Sequence, residues 1–94
     1  MPALDIPEAE TREKAGLATP WNVVVHNDPV NLMSYVALVF RKVLEFSKDK
    51  AQRHMLEVHE QGRSVVVRDS FEKAEYYVHA LQKYSLTATL EPAS

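Results

Sequence analysis

The side chains with the means to do chemistry here are four histidines, a few serines and the polar pair Asn27-Asp28. His54 and His59 are five residues apart, which puts them on different faces of a helix, unlike the i, i+4 pair of a zinc-binding helix. Ser34, Ser47, Ser64 and Ser70 lie in no motif that supplies a positioned base and oxyanion donors, and two of them read better as helix caps. Gly16 and Gly62 are the only glycines, so no glycine-rich loop is available to cradle a phosphate. The absence of cysteine excludes thiol chemistry, disulfides and cysteine-based zinc sites. These residues argue against an enzyme, and no metal or cofactor is expected. Asn27 and Asp28 remain: two short polar side chains at the mouth of an apolar wedge, an arrangement suited to a ligand with a charged end and a greasy body. His59 borders the same apolar surface, beside Val58 and one turn after Met55; taken alone it reads as a cap or packing residue. Met33 and Met55, also taken singly, fit an ordinary core, where methionine fills gaps.

The elements that must position these residues follow from the pattern of apolar side chains. Val23, Val24 and Val25 form a β-branched run read as a buried strand, stopped by Asn27, Asp28 and Pro29. Asn31 is expected to N-cap a first helix, whose apolar residues Leu32, Tyr35, Val36, Val39, Phe40, Val43 and Leu44 recur at spacings of three and four. Ser47 caps a second helix with Ala51, Met55, Leu56 and Val58 as its apolar positions, and Gly62 stops it. Val65, Val66 and Val67 give a second strand. Asp69 or Ser70 caps a third helix carrying Phe71, Ala74, Tyr77, Val78 and Leu81 on one face. Leu86 to Leu90 alternates apolar and hydroxyl side chains, as a half-buried strand does. The order β-α-α-β-α-β implies a small α/β (α+β) sandwich, with three helices covering one face of a three-stranded antiparallel sheet.

Ninety-four residues suffice for one core domain, taken as 21–94, preceded by a flexible arm over 1–20 in which Pro2, Pro7, Gly16 and Pro20 break any long element. A net charge of −2, from 11 basic and 13 acidic residues, supplies no electrostatic footprint for nucleic acid. No apolar run approaches the roughly 20 residues of a membrane span, and the N-terminus lacks a signal-peptide pattern. A cytoplasmic monomer with no membrane partner is the expectation.

Three segments together carry a resemblance: Val25-His-Asn-Asp-Pro-Val-Asn-Leu-Met-Ser-Tyr-Val36, Met55-Leu-Glu-Val-His-Glu-Gln-Gly62 and Thr87-Ala-Thr-Leu-Glu91. In combination they resemble the ClpS family of N-degron adaptors, over about Trp21 to Pro92, and the Asp-Pro-Val-Asn-Leu-Met version looks like the actinobacterial branch. The resemblance implies a non-enzymatic adaptor that binds proteins with a free N-terminal Leu, Phe, Tyr or Trp and delivers them to the N-domain of a Clp AAA+ unfoldase. By position it implies that Asn27, Asp28 and His59 hold the α-amino group, and that Val25, Asn31, Met33, Val36, Met55, Val58 and Leu86 line the side-chain pocket. Two departures stand out. Pro29 and Asn31-Leu32 replace the second Asp and the Thr-Pro of many members. On the third helix, Glu72 matches a residue used to dock on ClpA, but Tyr77 takes the place of a Lys, which makes ClpC the expected unfoldase. The family also implies a part for the arm in delivery. The competing expectation is a protein–protein module shaped like a ribosomal stalk domain, with a flat helical face and no terminal-residue pocket.

Overall fold

The computed structural model describes residues 20–93. The arm expected over 1–20 lies, Pro20 apart, outside the described residues. Strand β1 (Trp21–His26) is followed by helices α1 (Met33–Leu44) and α2 (Lys48–Gln61), strand β2 (Arg63–Asp69), helix α3 (Phe71–Lys83) and strand β3 (Thr87–Pro92). This is the expected β-α-α-β-α-β order. The sheet is antiparallel throughout with β1 in the centre, in the order β2-β1-β3.

The β-branched run Val23–Val25 explains the central place of β1. Val23, Val24 and Val25 are all fully or almost fully buried, and Val23 and Val25 belong to the core beneath the helices. Against β2 the register slips between Val23 and Val24, so that Val66 is an extra residue tucked into the core. The helices cover one face with Val36, Val39 and Phe40 from α1, Ala51, Met55 and Val58 from α2, and Ala74, Val78 and Leu81 from α3. On the ladder, Arg63 of β2 reaches Glu91 of β3 in a 2.7 Å ion pair between two exposed side chains.

Helix ends mostly fall where the sequence put them. Ser47 accepts from the Lys50 amide at 3.1 Å and opens α2; Gly62 closes it at φ 89°, a left-handed conformation that glycine adopts without a Cβ penalty. Ser70, not Asp69, caps α3 through the Lys73 amide, while Asp69 accepts from the Ser70 amide. Three expectations are corrected. Asn31 does not cap α1: the cap position is Leu32, with no side-chain bond, because the Asn31 amide is drawn instead to the Ser85 carbonyl at 2.9 Å. Leu32 itself precedes the helix and is 73% exposed, so it takes no part in the apolar face. Leu56 is also off the buried face, at 40% exposure; Ala51, Met55 and Val58 alone keep the helical spacing toward the core.

Ser64 is the buried polar residue of the core, and it fastens α2 to β2. Its hydroxyl donates to the Glu57 carboxylate and accepts from His54 Nδ1 at 2.8 Å. The His54 ring also packs on Phe46 at 5.2 Å between centroids. With Ser64 buried between them, the trio clamps α2 to β2.

Candidate functional site

The end of the sheet where β1 finishes is also where α1 begins, α2 ends and β3 starts, and the four termini surround one cavity. Its floor is apolar: Val25 from β1, Val36 from α1, Met55 and Val58 from α2, and Leu86 just ahead of β3 are all buried. Its mouth is polar, with Asn27, Asp28 and Asn31 from the turn after β1 and His59 from the last turn of α2. The cavity volume is about 370 Å³, within the range of small-molecule sites, roughly 300–1,000 Å³. All ten residues singled out in the sequence as amine-binding or pocket-lining border this one space.

The turn that carries the polar side chains is held rigidly. Asp28 folds it by accepting from the Val30 amide on Oδ1 at 2.9 Å, an Asx-turn, and the Asn31 amide N–H adds a 3.2 Å bond to the Asp28 carbonyl. The Asn27 N–H donates to the Gly62 carbonyl at 2.9 Å, joining the turn to the end of α2 and so to His59. On the other side, the Asn31 side chain and the Tyr35 hydroxyl reach the carbonyls of Ser85 and Tyr84, at 2.9 and 2.6 Å. Ser85 has a φ of 69°, uncommon for a residue with a side chain, at the corner where α3 turns into β3. These bonds fix α1 over Leu86 and set the width of the cavity.

Met33, the first residue of α1, stands at the rim with 43% of its surface exposed. The sequence reading did not single out His26, Pro29, Leu32 and Thr87 as lining residues, though all four border the cavity. Thr87 matters most, because its hydroxyl donates to Asp28 Oδ2 at 3.3 Å. The Asp28 carboxylate is thus oriented from two sides. A threonine in an alternating strand reads as surface filler, so nothing local signalled this bond. His26 turns toward Thr89, with Nε2 2.8 Å from the hydroxyl oxygen. Glu72 and Tyr77 are elsewhere. Glu72 lies in the first turn of α3 beside Phe71, which packs edge-on against Trp21 at 4.9 Å, at the opposite end of β1 from the cavity. Tyr77 is half-buried further along the same helix, in ring contact with the exposed Tyr76.

A family model described as ATP-dependent Clp protease adaptor protein ClpS matches residues 17–91. The chain belongs to the ClpS family. Among named relatives, the ClpS adapter of Streptomyces coelicolor is 53% identical over 72 residues, covering 77% of this chain and 75% of that protein. The ClpS adapter of Streptomyces avermitilis is 46% identical over 92 residues, 94% of this chain and 88% of the relative. In three dimensions the chain is similar to Agrobacterium tumefaciens ClpS2 bound to L-phenylalaninamide, with a TM-score of 0.73 and 30% identity over 80% of this chain and 98% of the other. ClpS proteins are adaptors of the ATP-dependent Clp protease rather than catalysts, so the partners of this chain are the Clp machinery and the substrates passed to it. Among the described residues no helix is long and apolar enough to cross a membrane, and no group of three or more His, Asp or Glu is arranged to hold a metal.

Proposed function

We propose that this adaptor recognises proteins beginning with a free Leu, Phe, Tyr or Trp and delivers them to a Clp AAA+ unfoldase, ClpC in preference to ClpA. The observation that carries the reading is the junction of an apolar cavity of about 370 Å³ with Asn27, Asp28 and His59 at its mouth. An α-ammonium has three donors and no acceptor. The Asn27 amide oxygen, the Asp28 carboxylate and a neutral His59 nitrogen are acceptors of the kind that would satisfy it together. The side chain of the first residue would occupy the cavity over Val36, Met55, Val58 and Leu86. Burial of a leucyl or aromatic side chain contributes about 1.5–3 kcal/mol. An internal peptide nitrogen, with one donor and no charge, would leave the Asp28 carboxylate uncompensated. The similar ClpS2 was solved with L-phenylalaninamide, a ligand that joins an α-amine to a benzyl group. That likeness supports the same division of labour here.

Preference for ClpC rests on the actinobacterial relatives and on Tyr77, which cannot offer the cation of a Lys at that position. The decisive experiment compares two Leu-initiated peptides that differ only by N-terminal acetylation. Binding of the free amine alone is expected. Equal binding of both would end the proposal.

A further inference from the structure

A second concavity of about 400 Å³ runs along the outer seam between α1 and α2, and it shares Met33 and Met55 with the first cavity. From that common wall it leads away past Ala37 and the 59%-exposed Leu38 to Arg41 and Lys48. No carboxylate lines it, and among the described residues neither Arg41 nor Lys48 is in an ion pair. The two other lysines of this region are engaged differently, Lys50 over the Phe46 ring at 4.5 Å and Lys42 over the Tyr84 ring at 5.5 Å. A greasy channel that begins at the rim of one site and ends at two free cations has the form of an extension of that site.

We infer that this groove takes the segment of the substrate that follows its first residue, and that it favours an acidic side chain near the fourth or fifth position. The inference rests on the proposed recognition of a free N-terminal residue in the adjoining cavity. From Met33 to Arg41 the helix advances about 12 Å at 1.5 Å per residue, the reach of three to four residues of extended chain at about 3.3–3.6 Å each. Residues two and three would lie against Ala37 and Leu38, and a carboxylate beyond them would fall between the guanidinium and the ammonium. Exposed ion pairs are modest and screened by salt, so the preference is one of degree.

The test is a fluorescence anisotropy titration of the full chain at low salt. It uses Leu-initiated peptides carrying Glu, Ala or Lys at positions four and five, each with its acetylated control. The Glu peptide is expected to bind about two- to fivefold more tightly than the Ala peptide, and the Lys peptide more weakly. The double variant Arg41→Glu/Lys48→Glu, whose folding is checked by its melting curve, should reverse the order of the Glu and Lys peptides. Equal affinities for Glu and Lys peptides, or an order that survives the reversal, overturn the inference while leaving the N-terminal reading standing. Loss of acetylation sensitivity would instead sink that reading, and this inference with it. If the double variant keeps every peptide affinity and loses only delivery to the unfoldase, the groove serves the unfoldase and the inference is equally overturned.

Discussion

Asp28→Asn isolates the charge that the proposed recognition depends on. The carboxylate has two internal tasks, accepting from the Val30 amide at 2.9 Å and from the Thr87 hydroxyl at 3.3 Å. An asparagine in the same place keeps the amide oxygen that closes the turn onto Val30 and removes the negative charge at the mouth. The cavity and its floor are therefore retained, and the loss measures the ammonium contact. A hydrogen bond to a charged group contributes about 1.5–3 kcal/mol against roughly 0.5–1.5 for a neutral one. The difference of about 1–1.5 kcal/mol corresponds to a five- to twelvefold weaker Leu-initiated peptide, at 1.4 kcal/mol per decade. Asp28→Ala also removes the Asx-turn and should cost more, about ten- to a hundredfold. Isothermal titration with free and acetylated peptides gives the coupling directly, because the acetylated peptide should bind the native chain and Asp28→Asn equally poorly. A folded Asp28→Asn protein that binds the free peptide within twofold of the native chain removes Asp28 from amine recognition.

Thr87→Val deletes the weaker of the two bonds that orient the Asp28 carboxylate, and at 3.3 Å its loss should cost about two- to fivefold in peptide affinity with no drop in melting temperature. An unchanged affinity would show that the Val30 amide orients Asp28 alone. Met33→Ala opens the rim, where a thioether would collide with the second Cβ substituent of Ile or Val. The Leu-over-Ile preference should narrow by about fivefold or more while Leu binding falls little; a uniform loss for all peptides would make Met33 simple packing. Burial holds His54 below the ordinary histidine value of 6.5, against a smaller upward pull from Glu57 and downward pulls from Lys50 and Arg53. The unfolded chain therefore takes up this proton first as pH falls. Stability is full above about 6.5 and declines below it until the folded-state value is passed. Urea melts at pH 7.5 and 5.5 should show a smaller difference for His54→Gln than for the native chain, and an equal difference would dismiss the linkage.

The order of elements was legible because each rests on a local rule. The valine runs, the three-and-four spacing in α1, and the Ser47 and Gly62 boundaries depend on neighbours only a few residues away. Asn31 departs from its expected capping role for the opposite reason. Its type and place suit a cap, but its side chain bonds a carbonyl 54 residues later, and only the folded chain brings Ser85 within reach. Leu56 shows the limit of composition, since an apolar residue one step off the helical period has no core to face. The pocket residues became recognisable through family resemblance, not periodicity: His59 and Met33 have unremarkable local readings, and the Thr87–Asp28 bond, between residues 59 apart, has no local signature at all.

The bond from the Asn27 N–H to the Gly62 carbonyl joins two main-chain atoms, so the closure of the site does not depend on which side chains are displayed there. A lineage could therefore rewrite the reading surface residue by residue, exchanging the amide at 27, the imidazole at 59 or the thioether at 33, without first having to rediscover the frame. Proline at 27 is the evident exception, since it would delete the donor. In such a scaffold, the display at the mouth can drift while architecture holds, and relatives with the same backbone are free to carry different side chains there.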